Sequence, residues 1–144
     1  MATVEVRALS PGPDLDAAIA LRFEVFVDEQ GVPRDEELDD HDATARHYGA
    51  TVDGALIGVA RVVDHGAGVA KIVGVAVRRS ARGTGVGRVL MEQVLLACRA
   101  AGYRAALLDA QCRVEAFYAR LGFVPEGPVF LDAGIDHIRM RRAL

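Results

Sequence analysis

Apolar and polar residues alternate with a period of two from Thr3 to Leu9, where Val4, Val6 and Ala8 share one face; this predicts a first strand. Ser10-Pro11-Gly12-Pro13 interrupts it. The period then lengthens. Leu15, Ile19, Phe23 and Phe26 recur at helical spacing through 15–28, with Asp14 placed to cap the helix and Asp16 in its first turn. That stripe reads as core. Periodicity fades over 28–42, where Asp28-Glu29-Gln30-Gly31-Val32-Pro33 leads into the acidic run Asp35-Glu36-Glu37-Leu38-Asp39-Asp40-His41-Asp42. A long irregular segment with one short helical turn is expected there. Loops of this length often act as lids or binding loops, although most of these charges read as solvated.

Strand periodicity returns in His47 to Val52 and Ala55 to Val63, joined by the tight turn Asp53-Gly54. Asp64 to Gly68 turns the chain into a strand over 69–77. Its stretch Ile72 to Val77 is an unbroken run of small and β-branched residues, as suits burial on both faces. A helix over 85–101 follows, with Val86, Leu90 and Val94 four apart and Val89 and Leu96 assigned to the same broad side; Gly102 stops it. Arg104 to Asp109 forms a short strand, parallel to 69–77 through a right-handed crossover. Val114, Phe117, Tyr118 and Leu121 mark another helix, ended by Gly122. Phe123 to Leu131 and Ile135 to Arg141 are the last strands, separated by Asp132-Ala133-Gly134.

The expected fold is α/β (α+β): a mixed, mostly antiparallel sheet of about seven strands flanked by helices, with one central parallel pair. No repeat or linker interrupts it, so residues 1–144 read as one domain. Ligands in such sheets bind where neighbouring strands part, at their carboxyl ends, here between 69–77 and 104–109.

Composition narrows the picture. Hydrophobic residues make up 51% and charged residues 26%, a globular balance, and a net charge of −3 gives no nucleic-acid surface. Cys98 and Cys112 show no metal-ligand spacing, and Cys98 falls on an apolar helix side where a buried thiol is expected. With no basic-then-apolar leader and no long apolar run, a cytoplasmic protein without a membrane partner or a metal is expected.

The chemistry centres on Arg82-Gly83-Thr84-Gly85-Val86-Gly87-Arg88, a glycine-rich turn between a strand and a helix. Glycines let the backbone approach an anion, and the helix N-terminus adds partial positive charge. The dinucleotide fingerprint fails because Arg88 stands where it needs glycine; the P-loop fails for lack of a lysine. What remains is Arg/Gln-x-x-Gly-x-Gly, filled by Arg82, Gly85 and Gly87. This resembles the acetyl-CoA pyrophosphate loop of the GNAT N-acetyltransferase superfamily. The likeness extends over nearly the whole chain. Leu21-Arg22-x-x-Val25-Phe26-Val27-x-Glu29-Gln30-x-x-Pro33, then Glu37-x-x-Asp40 and His47, are similar to the small bacterial ElaA-like subgroup. So are Ala110-Gln111, Phe117-Tyr118-x-x-x-Gly122-Phe123 and Gly134-Ile135-x-His137-x-x-Met140.

The resemblance implies acetyl-CoA as cosubstrate. Val75 and Val77 would pair through their backbones with its pantetheine arm, and Gly74 would mark the bulge that splays the strand. Amides of Arg82, Gly83, Thr84, Gly85, Val86, Gly87 and Arg88 would hold the pyrophosphate. Gln111 stands where many relatives carry asparagine, and Arg79 where the motif usually has proline. Tyr118 matches the tyrosine that faces the sulfur, and an N–H near Val75 the oxyanion donor. A tyrosine ordinarily titrates above a thiol, so it can donate to sulfur as it leaves. For the base, Glu29 and His137 are candidates, with His47 third and a water chain an alternative; Glu29 could equally cap a helix or contact the substrate ammonium. His41 and His65 sit in polar loops and read as solvated. Arg22, on an apolar helix face, needs a carboxylate partner if buried, expected from the acidic loop.

The function expected is transfer of an acetyl group to a primary amine of a small molecule or peptide. The acidic segment tilts this toward a cationic acceptor. The alternative is a non-catalytic acyl-CoA-binding module or sensor. Pairing of the last two strands with a partner chain leaves a homodimer open.

Overall fold

The computed structural model describes residues 3–37 and 40–144, so Leu38 and Asp39 of the acidic run lie outside the described residues. Among the described residues seven strands form one sheet in the order β1-β2-β3-β4-β5-β7-β6. These are β1 (Val4–Ala8), β2 (Arg46–Val52), β3 (Ala55–Gly66), β4 (Val69–Val77), β5 (Ala105–Gln111), β6 (Val124–Asp132) and β7 (Ile135–Ala143). The helices are α1 (Pro13–Arg22), α2 (Arg34–Glu37), α3 (Val86–Ala100) and α4 (Glu115–Arg120). Only β4 and β5 run parallel, and their pairing lasts three steps, Val69↔Ala105 to Lys71↔Leu107. Beyond Lys71 the two strands separate.

Gly74 explains the parting. Between Val59↔Ala76 and Arg61↔Val73 the β4 strand carries one extra residue, and Gly74 takes φ +62. Such a bulge bends its strand and shifts side-chain parity. Ala70 and Ile72 pack under α3 with Leu90 and Val94, as do Val75 and Val77; Ala76, beyond the bulge, packs under α1 with Ala18, Leu21 and Val25. The apolar run of β4 is thus covered on both faces, fully at Ile72 and Ala76 and partly at its other positions. A Cβ on Gly74 would stand 2.8 Å from the Arg61 guanidinium, so a side chain at this left-handed position would be strained and would have to displace that buried arginine.

The asparagine-free hairpin turns form as their residues dictate, with φ +51 and +79 at Asp53-Gly54 and +51 and +74 at Ala133-Gly134. Several expectations need correction. The first helix starts at Pro13, so Gly12 takes the N-cap position and Asp14 lies inside the helix, where its carboxylate binds Arg7 and the Ser10 N–H. Phe23–Glu29 continues α1 as a π-helical turn, wider than the 3.6-residue period suggests. Leu96 is 57% exposed: Met91, Leu95 and Cys98 complete the buried side of α3 instead. β3 runs on to Gly66, and β5 reaches Gln111, two residues beyond the expected end. The last strand inserts between β5 and β6, leaving β6 as an edge whose Pro125 and Pro128 cannot donate to a further strand. Among the described residues no helix is long and apolar enough to cross a membrane.

Candidate active site

The gap between β4 and β5 opens into a cleft of about 940 Å³, walled by both strands and reached by Tyr118 from α4 and His137 from β7. Arg78 donates its N–H to Ile57 of β3, so by strand alternation the backbones of Val77 and Val75 face the open side. The glycine turn sits at the cleft mouth. Gly83 (φ +76) and Gly85 (φ +89) take left-handed conformations that favour glycine, and Gly85 caps α3. Among the described residues no close backbone hydrogen bond takes an N–H between residues 83 and 88. A Cβ on Gly87 would meet Phe117 at 3.4 Å and Val77 at 3.6 Å, ordinary contact distances, so packing alone does not demand glycine there.

Arg82 is held by three bonds. Its Nε donates to the Val77 carbonyl at 2.9 Å, and its two Nη atoms donate to both oxygens of Glu29 at 2.7 and 2.9 Å. The hydrogen bond from Arg82 keeps the Glu29 carboxyl below the usual carboxylate range. The next residue, Gln30, accepts from Gln111 Nε2 at 2.8 Å, while Gln111 Oε1 accepts from Arg113 at 2.9 Å. The end of the π-helical turn is therefore tied to both lips of the cleft. Arg88 pairs with Glu92 at 2.8 Å in an exposed i,i+4 contact of little energetic weight.

Tyr118 is 8% exposed, its ring edge-on to Phe117 and Phe123. Burial pushes its pKa up to about 12. An unfolded phenol ionises near 10 while the folded one stays protonated, so the native state loses stability as pH rises from about 10 to about 12, by at most about 3 kcal/mol. Urea titrations across that window should show this alkaline loss, flattened in Tyr118→Phe; an identical slope in the variant would assign the loss elsewhere.

His137 Nδ1 lies 2.7 Å from the Ile135 carbonyl. A carbonyl can only accept, so Nδ1 carries the proton and Nε2 is the acceptor of the neutral ring. The ring stacks on Phe130 at 5.8 Å. His47 does not line the cleft; it is buried and donates from Nε2 to the Asp42 carbonyl at 3.0 Å. His41 is exposed, as expected, and also lines the cleft.

The acidic segment is fastened from below. Arg22, 1% exposed, binds Glu37 at 2.9 Å and Asp42 at 2.6 Å, and Arg61 reaches Asp42 at 3.2 Å. Burial opposes ionisation of Asp42, yet the bonds from Arg22 and the neighbouring positive charges hold its pKa below the ordinary value. Sequence patterning marks neither Arg61 nor Asp109 as a site residue, and marks Gln30 only as part of the subgroup motif. For Arg61 there was a signal: a lone cation within the apolar strand Ala55 to Val63.

A family model described as an acetyltransferase (GNAT) domain matches residues 15–144. The chain belongs to the GNAT acetyltransferase family. It is 35% identical over 132 residues to YjcF of Bacillus subtilis, named an uncharacterized N-acetyltransferase, covering 89% of this chain and 91% of that one. An acyl-CoA N-acyltransferase from Pseudomonas aeruginosa superposes with TM-score 0.86 at 35% identity, over 99% of this chain and 100% of the other. Escherichia coli ElaA superposes with TM-score 0.85 at 31% identity, over 99% of each chain.

Proposed function

We propose that this protein transfers the acetyl group of acetyl-CoA directly to a primary amine of a small molecule or peptide, within one domain spanning the chain. One observation carries the reading: a row of backbone N–H groups at 83–88, none of them donating a close bond to a backbone acceptor among the described residues, opens onto a cleft that ends at Tyr118 and His137. Such a row fits a diphosphate, and the exposed edge of β4 beyond it fits a linear, amide-bearing arm. Acetyl-CoA supplies an activated thioester; everything else is asked of the chain.

In that role the backbones of Val75 and Val77 align the arm, and an N–H near Val75 faces the developing oxyanion. As the amine nitrogen bonds to the acyl carbon and the carbon–sulfur bond breaks, His137 Nε2 takes the proton leaving nitrogen. Tyr118 donates a hydrogen bond to the departing sulfur. Glu29 is the weaker base, because both its oxygens are engaged by Arg82 and its proton affinity is lowered. It is better read as the brace of the pyrophosphate turn. Gln111, tied to Gln30, closes the far lip.

A panel of amines offered with acetyl-CoA, read by release of free thiol, tests the reading. At least one amine should stimulate release well above the hydrolytic background, with a matching acetylated product. Tight acetyl-CoA binding with no stimulated release would leave the protein as a binding module or sensor.

A further inference from the structure

Beyond the cleft, the face of the sheet that carries His137 bears a row of charges across four strands. Lys71 on β4 lies 3.5 Å from Asp109 on β5, which Arg139 on β7 grips at 2.9 and 3.3 Å. Arg141, two residues on, grips Glu126 on β6 at 3.0 and 3.2 Å. Three cations thus meet two carboxylates. Both arginines use Nε and Nη2 on their carboxylates, so each Nη1 edge keeps its donors with no partner among the described residues. The side chains stay open to solvent, 37% exposed at Arg139 and 40% at Arg141.

The surface is also hollowed. Between Glu126↔Arg139 and Phe130↔His137 the β6 strand carries two extra residues, and Gly127-Pro128 loops outward with Gly127 at φ +79. A hollow of about 530 Å³ results, walled by Asp109, Glu126, Pro128, Phe130 and Arg139. Asp109 lines the main cleft as well, so the two spaces adjoin at that residue. Of the acidic segment, Glu36 and Glu37 line the opposite wall of the cleft, and Glu37 is engaged by Arg22.

We propose that this hollow is the entrance to an acceptor subsite for an anionic group, and that the preferred acceptor is a short peptide whose N-terminal amine enters beside His137 and whose carboxylate lies on the Nη1 edges of Arg139, in the wall of the hollow, and of Arg141, outside that wall and beyond Glu126. This rests on the acetyl-transfer reading above. His137, Arg139 and Arg141 share one strand face, so at about 3.3 Å per residue the arginines lie roughly 7 and 13 Å from the reacting end. An extended di- or tripeptide spans that interval. Charge-assisted bonds from two guanidinium edges are strong enough to set a preference.

The test compares a tripeptide ending in a free carboxylate with the same tripeptide ending in an amide, as a ratio of kcat/KM within each protein. The native chain should favour the carboxylate form by about 10-fold or more, mainly through KM. In Arg139→Gln/Arg141→Gln that ratio should collapse toward one; because it is internal to each protein, a general loss of folded material cannot mimic it. A ratio near one in the native chain, or an undiminished ratio in the variant, overturns the subsite while leaving acetyl transfer standing. If no amine of any kind releases thiol, the subsite falls together with the transfer reading.

Discussion

Tyr118→Phe should lower kcat by about 10- to 10³-fold while leaving the KM for acetyl-CoA nearly unchanged. The substitution deletes one oxygen and keeps the ring, which packs edge-on to Phe117 at 5.0 Å and to Phe123 at 6.0 Å. No described residue hydrogen-bonds the hydroxyl, and the residue lines the cleft, so removing it leaves no protein group unpaired. With a pKa of about 12 the phenol stays protonated at any working pH. A free thiol ionises near about 8.5, so full proton transfer from Tyr118 to a thiolate runs uphill. The hydroxyl is therefore a hydrogen-bond donor to developing charge rather than an acid that empties itself. Two consequences follow for the pH–rate profile. Tyr118 contributes no limb below about pH 10, and the variant keeps the native shape at a lower height. Unchanged kcat in Tyr118→Phe would remove the donor role; a lost limb at neutral pH would mean that the tyrosine titrates during turnover.

Features of this fold that local chemistry dictates were legible in the residues alone. Gly74 interrupts an otherwise β-branched run, and a glycine there is what a bulge at φ +62 beside a packed arginine demands. The glycine turn, both hairpin turns and the single parallel pair follow from short-range patterns. The charge on Arg22 demanded carboxylates, and the acidic segment provided them. Features set by distant parts of the chain were not legible. Glu29 meets Arg82 across 53 residues and Gln30 meets Gln111 across 81, so nothing near Glu29 marked it as a brace rather than a base. The π-helical turn leaves no local mark, because Phe23 and Phe26 keep an ordinary helical spacing while the backbone around them widens. Leu96 shows a narrower failing. It lies two residues, some 200°, from buried Val94, so helical geometry alone places it outside. Apolar character outweighed position in that reading.

The remaining large effect concerns the brace itself. Arg82→Glu should raise the KM for acetyl-CoA by about 10²-fold, with a smaller fall in kcat. The change removes the donors that hold Glu29 and the Val77 carbonyl, and it sets two carboxylates side by side where an ion pair stood at 2.7 Å. It also adds negative charge beside amides assigned to a diphosphate. The first effect disorders the turn; the second repels the ligand. A charge swap separates them. In Glu29→Arg/Arg82→Glu the ion pair can re-form with its partners exchanged, restoring the link between the π-helical turn and the pyrophosphate loop. If bracing is the main work of Arg82, the swap recovers at least tenfold of the lost affinity. If the guanidinium must itself touch phosphate, affinity stays low although thermal stability returns, because the positive charge now sits on the wrong element. An unaltered KM in Arg82→Glu alone would argue more broadly, placing the diphosphate away from this turn and detaching Tyr118 and His137 from the chemistry assigned to them.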